Sequence, residues 1–286
     1  MIRIPGHQHL AHDSAVARLL RIGCRIALSV VIAVLASAVP ISAGPRAMAQ
    51  TATGDDTAPL HKIGVSAQDH RVRLEAGTWP WSSLGRVNRA IGGYCTGALV
   101  APHWILTAAH CLYNFEDRRW AVPADIHFLA GYHRDQYAAH AIGKRFVLPS
   151  NYHGTAADSA VEMAHDWALV ELDHDLSQRP IPIARQEISL ASGPVAVTVA
   201  GYSGDFEEIL MADRTCHVMG QAEPKLWLHN CDATFGASGS PLLVINGDKV
   251  EIVGIQSGVV TMKDKREIGT ASPLSSFLPA LSVLNQ

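Results

Sequence analysis

From Ile63 onward the apolar residues come in short runs, and turn residues cut one run after another. Ala98-Leu99-Val100 stops at Ala101-Pro102, Ile126 to Leu129 at Gly131, Phe146-Val147-Leu148 at Pro149, and Val195 to Ala200 at Gly201. Trp104-Ile105-Leu106 and Trp167 to Leu172 are similarly brief. Runs of this length suit strands and are too short for helices that must bury a face. Pro241 to Ile245 and Val250 to Ile255 flank Asn246-Gly247-Asp248. Asn-Gly adopts the positive φ angles of a tight turn readily, so this is a hairpin signal. Many short strands in succession predict an all-β barrel or sandwich. One helix is expected at the end, Leu274 to Leu284, where Leu274, Phe277, Leu278, Leu281 and Leu284 share a face although Pro279 interrupts it.

The start of the chain reads differently. Arg18, Arg21 and Arg25 precede an apolar run from Ile26 to Ala43, and Ala47-Met48-Ala49 fits a small-x-small cleavage site. Residues 1–49 are expected to be a secretory signal peptide. An uncleaved anchor is the alternative, because the run nears the spanning minimum. Ser37, Pro40, Ser42 and the cleavage site favour removal. Residues 50–62 are mostly small and polar and read as a propeptide or flexible tail. Two halves follow, 63–176 and 177–286, with the connection sought between Asp173 and Pro182. The leader carries Arg3, Arg18, Arg21, Arg25 and Arg46 against one acid, Asp13, so its loss leaves a chain more acidic than the formal −3 of the whole. That balance argues against nucleic acid as a partner. No later segment is apolar enough to span a membrane.

Cys24 leaves with the leader, and Cys95, Cys111, Cys216 and Cys231 remain. An even number in an exported chain points to disulfides, with three connectivities open. Nearest-neighbour pairing, Cys95–Cys111 and Cys216–Cys231, closes two short loops. A zinc site is the competing reading, but no Cys-x-x-Cys pair is present.

Three short stretches carry chemistry. Gly236-Ala237-Ser238-Gly239-Ser240-Pro241 sets a serine between glycines ahead of an apolar strand. Gly236 allows an amide to turn toward a developing oxyanion, and the Ser238 amide is the natural second donor. Upstream, His110 follows a small-residue turn in Leu106-Thr107-Ala108-Ala109-His110-Cys111. Between them, Asp166 opens the apolar run Asp166-Trp167-Ala168-Leu169-Val170, where an isolated carboxylate is costly unless hydrogen-bonded. Nucleophile, base and orienting carboxylate are the minimum set for acyl transfer through serine.

These stretches, in the order His, Asp, Ser, resemble the chymotrypsin-like (trypsin-fold) serine peptidases. The resemblance runs from Cys95 to Pro241, and the Cys95–Cys111 spacing is similar to that family's disulfide beside its histidine. Within the clan the chain looks like the bacterial glutamyl endopeptidase branch, on Cys95-Thr96-Gly97-Ala98-Leu99-Val100, Gly201-Tyr202-Ser203-Gly204-Asp205, Cys231-Asp232 and Ser240. The resemblance implies two antiparallel six-stranded β-barrels, a short C-terminal helix and a site in the cleft between the barrels. It implies a secreted or periplasmic bacterial endopeptidase, monomeric, acting on protein or peptide without cofactor or metal. Ser238 would attack, His110 relay the proton and Asp166 orient the imidazole, with the Gly236 and Ser238 amides as the oxyanion hole.

Two departures from the family pattern stand out. Ala237 occupies the place where animal trypsin-like enzymes carry the Asp that pairs with a newly freed amine. Lys62-Ile63-Gly64 still looks like a zymogen processing site. In the specificity pocket, the resemblance places Asp232, Ala233, Gln256, Ser257 and Gly258. Asp232 would favour basic side chains, whereas the glutamyl branch needs a His where Gln256 stands. Basic, acidic and other preferences all stay open. Two other functions compete with a peptidase. One is a trypsin-fold binding protein without catalysis, against which the three intact residues argue. The other is a serine esterase, whose elbow wants Gly at position 240. His127, His133, His140 and His153 are read as solvated or singly bonded, and Trp79 and Trp81 as packing residues.

Overall fold

The computed structural model describes residues 62–154, 159–222 and 225–285. The leader and the stretch up to His61 lie outside these, so the signal-peptide and propeptide readings are not visited by the structure. Thirteen strands matter for the site. Six close into a barrel: β2 (Leu84–Arg89), β3 (Tyr94–Ala101), β4 (Trp104–Thr107), β5 (Ile126–Ala130), β6 (Ala139–Val147) and β7 (Ala168–Leu172), in the order β2-β3-β4-β7-β6-β5. Every strand pairing in the two sheets is antiparallel. Val87, Leu99, Ile105, Phe128 and Val170 share the inward face at 0 % exposure, while Leu84 and Leu169, equally buried, pack on the other face of their strands. All residues of β4 and β7 are buried, so these two runs read as continuous rather than alternating hydrophobics.

The second sheet holds β1 (Arg71–Arg73), β8 (Val195–Gly201), β9 (Met211–Ala222), β10 (Leu226–His229), β11 (Pro241–Asn246), β12 (Lys249–Thr261) and β13 (Glu267–Pro273). Their order is β1-β9-β8-β11-β12-β13-β10, and a further β9–β10 pairing joins the ends of a six-strand circuit with β1 outside it. The expected all-β, two-barrel architecture is therefore what the chain adopts. The Asn246-Gly247 turn joins β11 to β12, with Asn246 opposite Lys249 and Gly247 at φ +60°. The expected helix is shorter than its pattern: one α turn, Leu274–Phe277, then a 3-10 segment, Leu278–Asn285. Leu274 and Phe277 are fully buried while Leu278 is exposed, because the apolar face is used only at its start.

β1 pairs with β9, so residues ahead of the first barrel belong to the second sheet. Arg71 anchors this strand through Asp205, which accepts from both its terminal nitrogens at 3.0 and 2.6 Å and from Lys62 at 2.9 Å. Burial alone would raise the Asp205 carboxyl, but these cations outweigh it and hold it well below the usual carboxylate range. Two disulfides complete the frame. Cys95–Cys111 ties β3 to the turn after β4, and Cys216–Cys231 ties β9 to the segment after β10. Loops of 16 and 15 positions are each worth about 3 kcal/mol of unfolded-state entropy.

Candidate active site

His110 lies in a 3-10 turn, Ala109–Leu112, that follows β4. Its neighbours Ala109, Cys111 and Leu112 are buried, which leaves the imidazole as the side chain the turn presents to the cleft. Asp166 sits just ahead of β7 at 3 % exposure. It takes three donors: the His110 amide at 2.9 Å, His110 Nδ1 at 2.6 Å and the Ser257 hydroxyl at 2.6 Å. Three donors satisfy the buried carboxylate. Burial alone lowers the His110 pKa, but the Asp166 charge and hydrogen bond outweigh it and hold the imidazole above its ordinary value. With Nδ1 donating to Asp166, Nε2 of the neutral ring is left as the acceptor that a general base needs.

Ser238 stands on the turn between Thr234 and Ser240. Gly236 at φ +88° and Gly239 at φ +80° give the turn its shape. A Cβ on Gly239 would come within 2.3 Å of the Thr96 carbonyl, so no larger residue fits there. The amides of Ala237, Gly239 and Ser240 donate to the carbonyls of Thr234, Gln256 and Ala237. Among the described residues none accepts from the amides of Gly236 or Ser238, so both are unclaimed within the turn. The Ser238 hydroxyl points to the Ser257 carbonyl at 3.5 Å. It shares one cavity of about 520 Å³ with His110 and Asp166. Ser238 and His110 share this cavity without a hydrogen bond between them.

Thr96 is a residue that sequence reasoning passed over. Its amide donates to the Ser238 carbonyl at 2.8 Å, and its hydroxyl donates to the Gly236 carbonyl at 3.1 Å. The same hydroxyl oxygen accepts from the Tyr202 amide at 2.9 Å, and the Thr107 hydroxyl donates to the Thr96 carbonyl at 2.7 Å. A first-barrel strand thus holds the Ser238 turn of the second sheet. Its adjacency to Cys95 in Cys95-Thr96-Gly97 was the one available signal.

The expected specificity residues do not stay together. Ala233, Gln256, Ser257 and Gly258 line the same cavity as Ser238. Asp232 does not: it lines a second cavity, against Ser66 and His70. Its oxygens accept from the Ser66 amide at 2.6 Å, the Ser66 hydroxyl at 3.1 Å, the His70 amide at 2.6 Å and His70 Nδ1 at 3.0 Å. Its place in sequence matches the trypsin acid, but donors from a distant segment turn the side chain away. His70, Asp213 and Asp232 gather ligand-type atoms, yet Asp213 is itself taken by the Thr215 and Asp232 amides. Outside the site, His127 and His140 hydrogen-bond to each other at 2.9 Å.

Comparison with known proteins adds a second line. The family described as Trypsin matches residues 71–281. Coagulation factor IX of Cavia porcellus is 30% identical over 151 residues, covering 50% of this chain and 47% of that protein. Transmembrane protease serine 5 of Homo sapiens is 23% identical over 229 residues, covering 71% of this chain and 48% of that protein. The chain thus spans about half the length of the curated relatives it matches. A solved structure of a Glu endopeptidase in complex with MPD superposes with TM-score 0.59 at 22% identity, over 76% of this chain and 98% of that one. At that identity the likeness is one of fold.

Proposed function

Because the chain belongs to the trypsin family, we propose that it is a serine endopeptidase that cleaves peptide bonds through an acyl-enzyme. The observation that carries this reading is the Asp166–His110 bond of 2.6 Å, facing the cavity that Ser238 also lines. Ser238 Oγ attacks the scissile carbonyl while His110 Nε2 takes its proton. Asp166 holds the tautomer and stabilises the imidazolium, and the Ser257 hydroxyl steadies Asp166. The Gly236 and Ser238 amides receive the oxyanion. His110 then protonates the leaving amine, and water repeats the sequence on the ester.

Export fits the paired cysteines and the leader, so the working place is the periplasm or the medium. Processing near Lys62-Ile63 is part of the same reading. Ala237 is buried among apolar side chains, so no ion pair at that position orders the oxyanion hole. Labelling with a fluorophosphonate, with Ser238→Ala as control, followed by peptide and ester assays, tests the proposal. Labelling with peptide turnover supports it. Labelling with ester turnover alone supports an esterase, and no labelling of the processed chain supports a binding protein.

A further inference from the structure

The wall of the cavity beside Ser238 is built from β12 and from the residues just before the nucleophile turn. Resting on the peptidase reading, we infer that the pocket receiving the side chain before the scissile bond takes an uncharged, chiefly apolar side chain, because Ala233, Thr234, Gln256, Gly258 and Val259 line it without an ion. Among the described residues, His110 and Asp166 are the ionic side chains that line the cleft, and they are engaged with each other.

Three described ionisable groups around the wall are engaged elsewhere. Asp232 is 4 % exposed and holds the Ser66–His70 segment with both oxygens. Glu267 accepts from the Gly64 amide at 2.7 Å and lines the second cavity. His229 lies behind the wall, fully buried, with its ring against Gly269. The Cys231 amide donates to His229 Nδ1 at 3.2 Å, which puts the ring proton on Nε2. Burial pushes this imidazole down to about 4, so it is neutral at physiological pH. Gln256 donates from Nε2 to the Gly258 carbonyl at 2.9 Å, fixing a neutral amide in the wall. The Gln256 side chain and the Thr270 backbone act on the buried His229 ring and oppose the effect of its burial, so the polar groups behind the wall answer one another. A charged side chain entering here would shed its water and find no counter-charge, whereas an apolar one gains contact with Ala233 and Val259.

The experiment uses the processed, fluorophosphonate-titrated enzyme on peptides that differ at the residue before the scissile bond. The best of Ala, Val, Leu, Met and Phe is expected to exceed Arg, Lys, Asp and Glu by about 100-fold in kcat/KM. A margin above about tenfold supports the inference, and a charged residue within about tenfold of the best overturns it. Absence of labelling would instead remove the peptidase reading beneath it. Asp232→Asn is expected to leave the preference unchanged, and a shift would overturn the inference. Gln256→Glu, which sets a carboxylate in the wall, is expected to raise Arg and Lys turnover relative to Leu at least about tenfold. A labelled Gln256→Glu enzyme with an unaltered profile would overturn the role given to that wall.

Discussion

Two buried aspartates in this molecule hold nearly the same company. Asp166 receives a histidine Nδ1, the amide of that histidine and a serine hydroxyl, and so does Asp232. Their exposures are 3 % and 4 %. What separates them is the other end of each histidine. His110 is displayed by a rigid turn pinned by Cys95–Cys111, in the cavity that also holds Ser238. His70 has a side chain 43% exposed, and it shares Asp232 with Ser66, four positions earlier in the same loop. One set is open to a nucleophile, and the other closes a loop onto a sheet. Residue types alone do not make a catalytic group. The face left free by the hydrogen bonds does.

The contrast is sharpest when each site is broken. Ser238→Ala is expected to lower kcat by about 10⁶ with thermal stability unchanged, read by single-turnover assays and calorimetry. Asp166→Asn is expected to cost about 10⁴ in kcat, because the imidazole loses its tautomer. Asp232→Asn should invert that pattern. Its rate stays within about tenfold of the parent while denaturant unfolding reports a loss of about 2 kcal/mol, the worth of buried charge-assisted bonds. If Asp232→Asn instead abolished turnover and left stability intact, the division of labour would be wrong.

Smaller effects probe the cleft from outside. Thr96→Val removes the hydroxyl that bonds the Gly236 carbonyl and is expected to lower kcat about tenfold, with Thr96→Ser restoring it. The pH profile should show activity falling on the acid side as His110 takes a proton, with a midpoint above the ordinary 6.5. The stability contribution of the same group runs the other way. Its folded pKa is raised, so the contribution is full below 6.5 and is lost as pH rises through the folded value. Activity and this part of stability therefore cross, which a pair of pH titrations on one sample would reveal.

Much of this was legible in the chain. Turn residues bounded the strands, and Asn246-Gly247 marked its hairpin. Three short stretches named His110 and Asp166, which hydrogen-bond to each other, and Ser238, which lines the same cavity. The direction of Asp232 was not legible. It depends on donors at Ser66 and His70, 166 and 162 positions away, which no local pattern announces. Thr96 was hidden for the same reason, since its partners are at Tyr202, Gly236 and Ser238. The shortened helix and the transfer of β1 to the second sheet show tertiary packing overriding a local pattern.

The Thr96 clasp has a bearing on how the molecule comes apart. One amide and one hydroxyl from the first barrel set the backbone of Gly236 and Ser238 in the second. A slight separation of the halves would therefore shift the Gly236 and Ser238 amides, the proposed oxyanion donors, while both barrels keep their own strand pairing. Under gentle denaturant, reactivity toward an acylating probe should vanish before the circular dichroism of the sheets changes. A molecule caught between those two losses would be folded and inert, and it would regain function by re-docking alone.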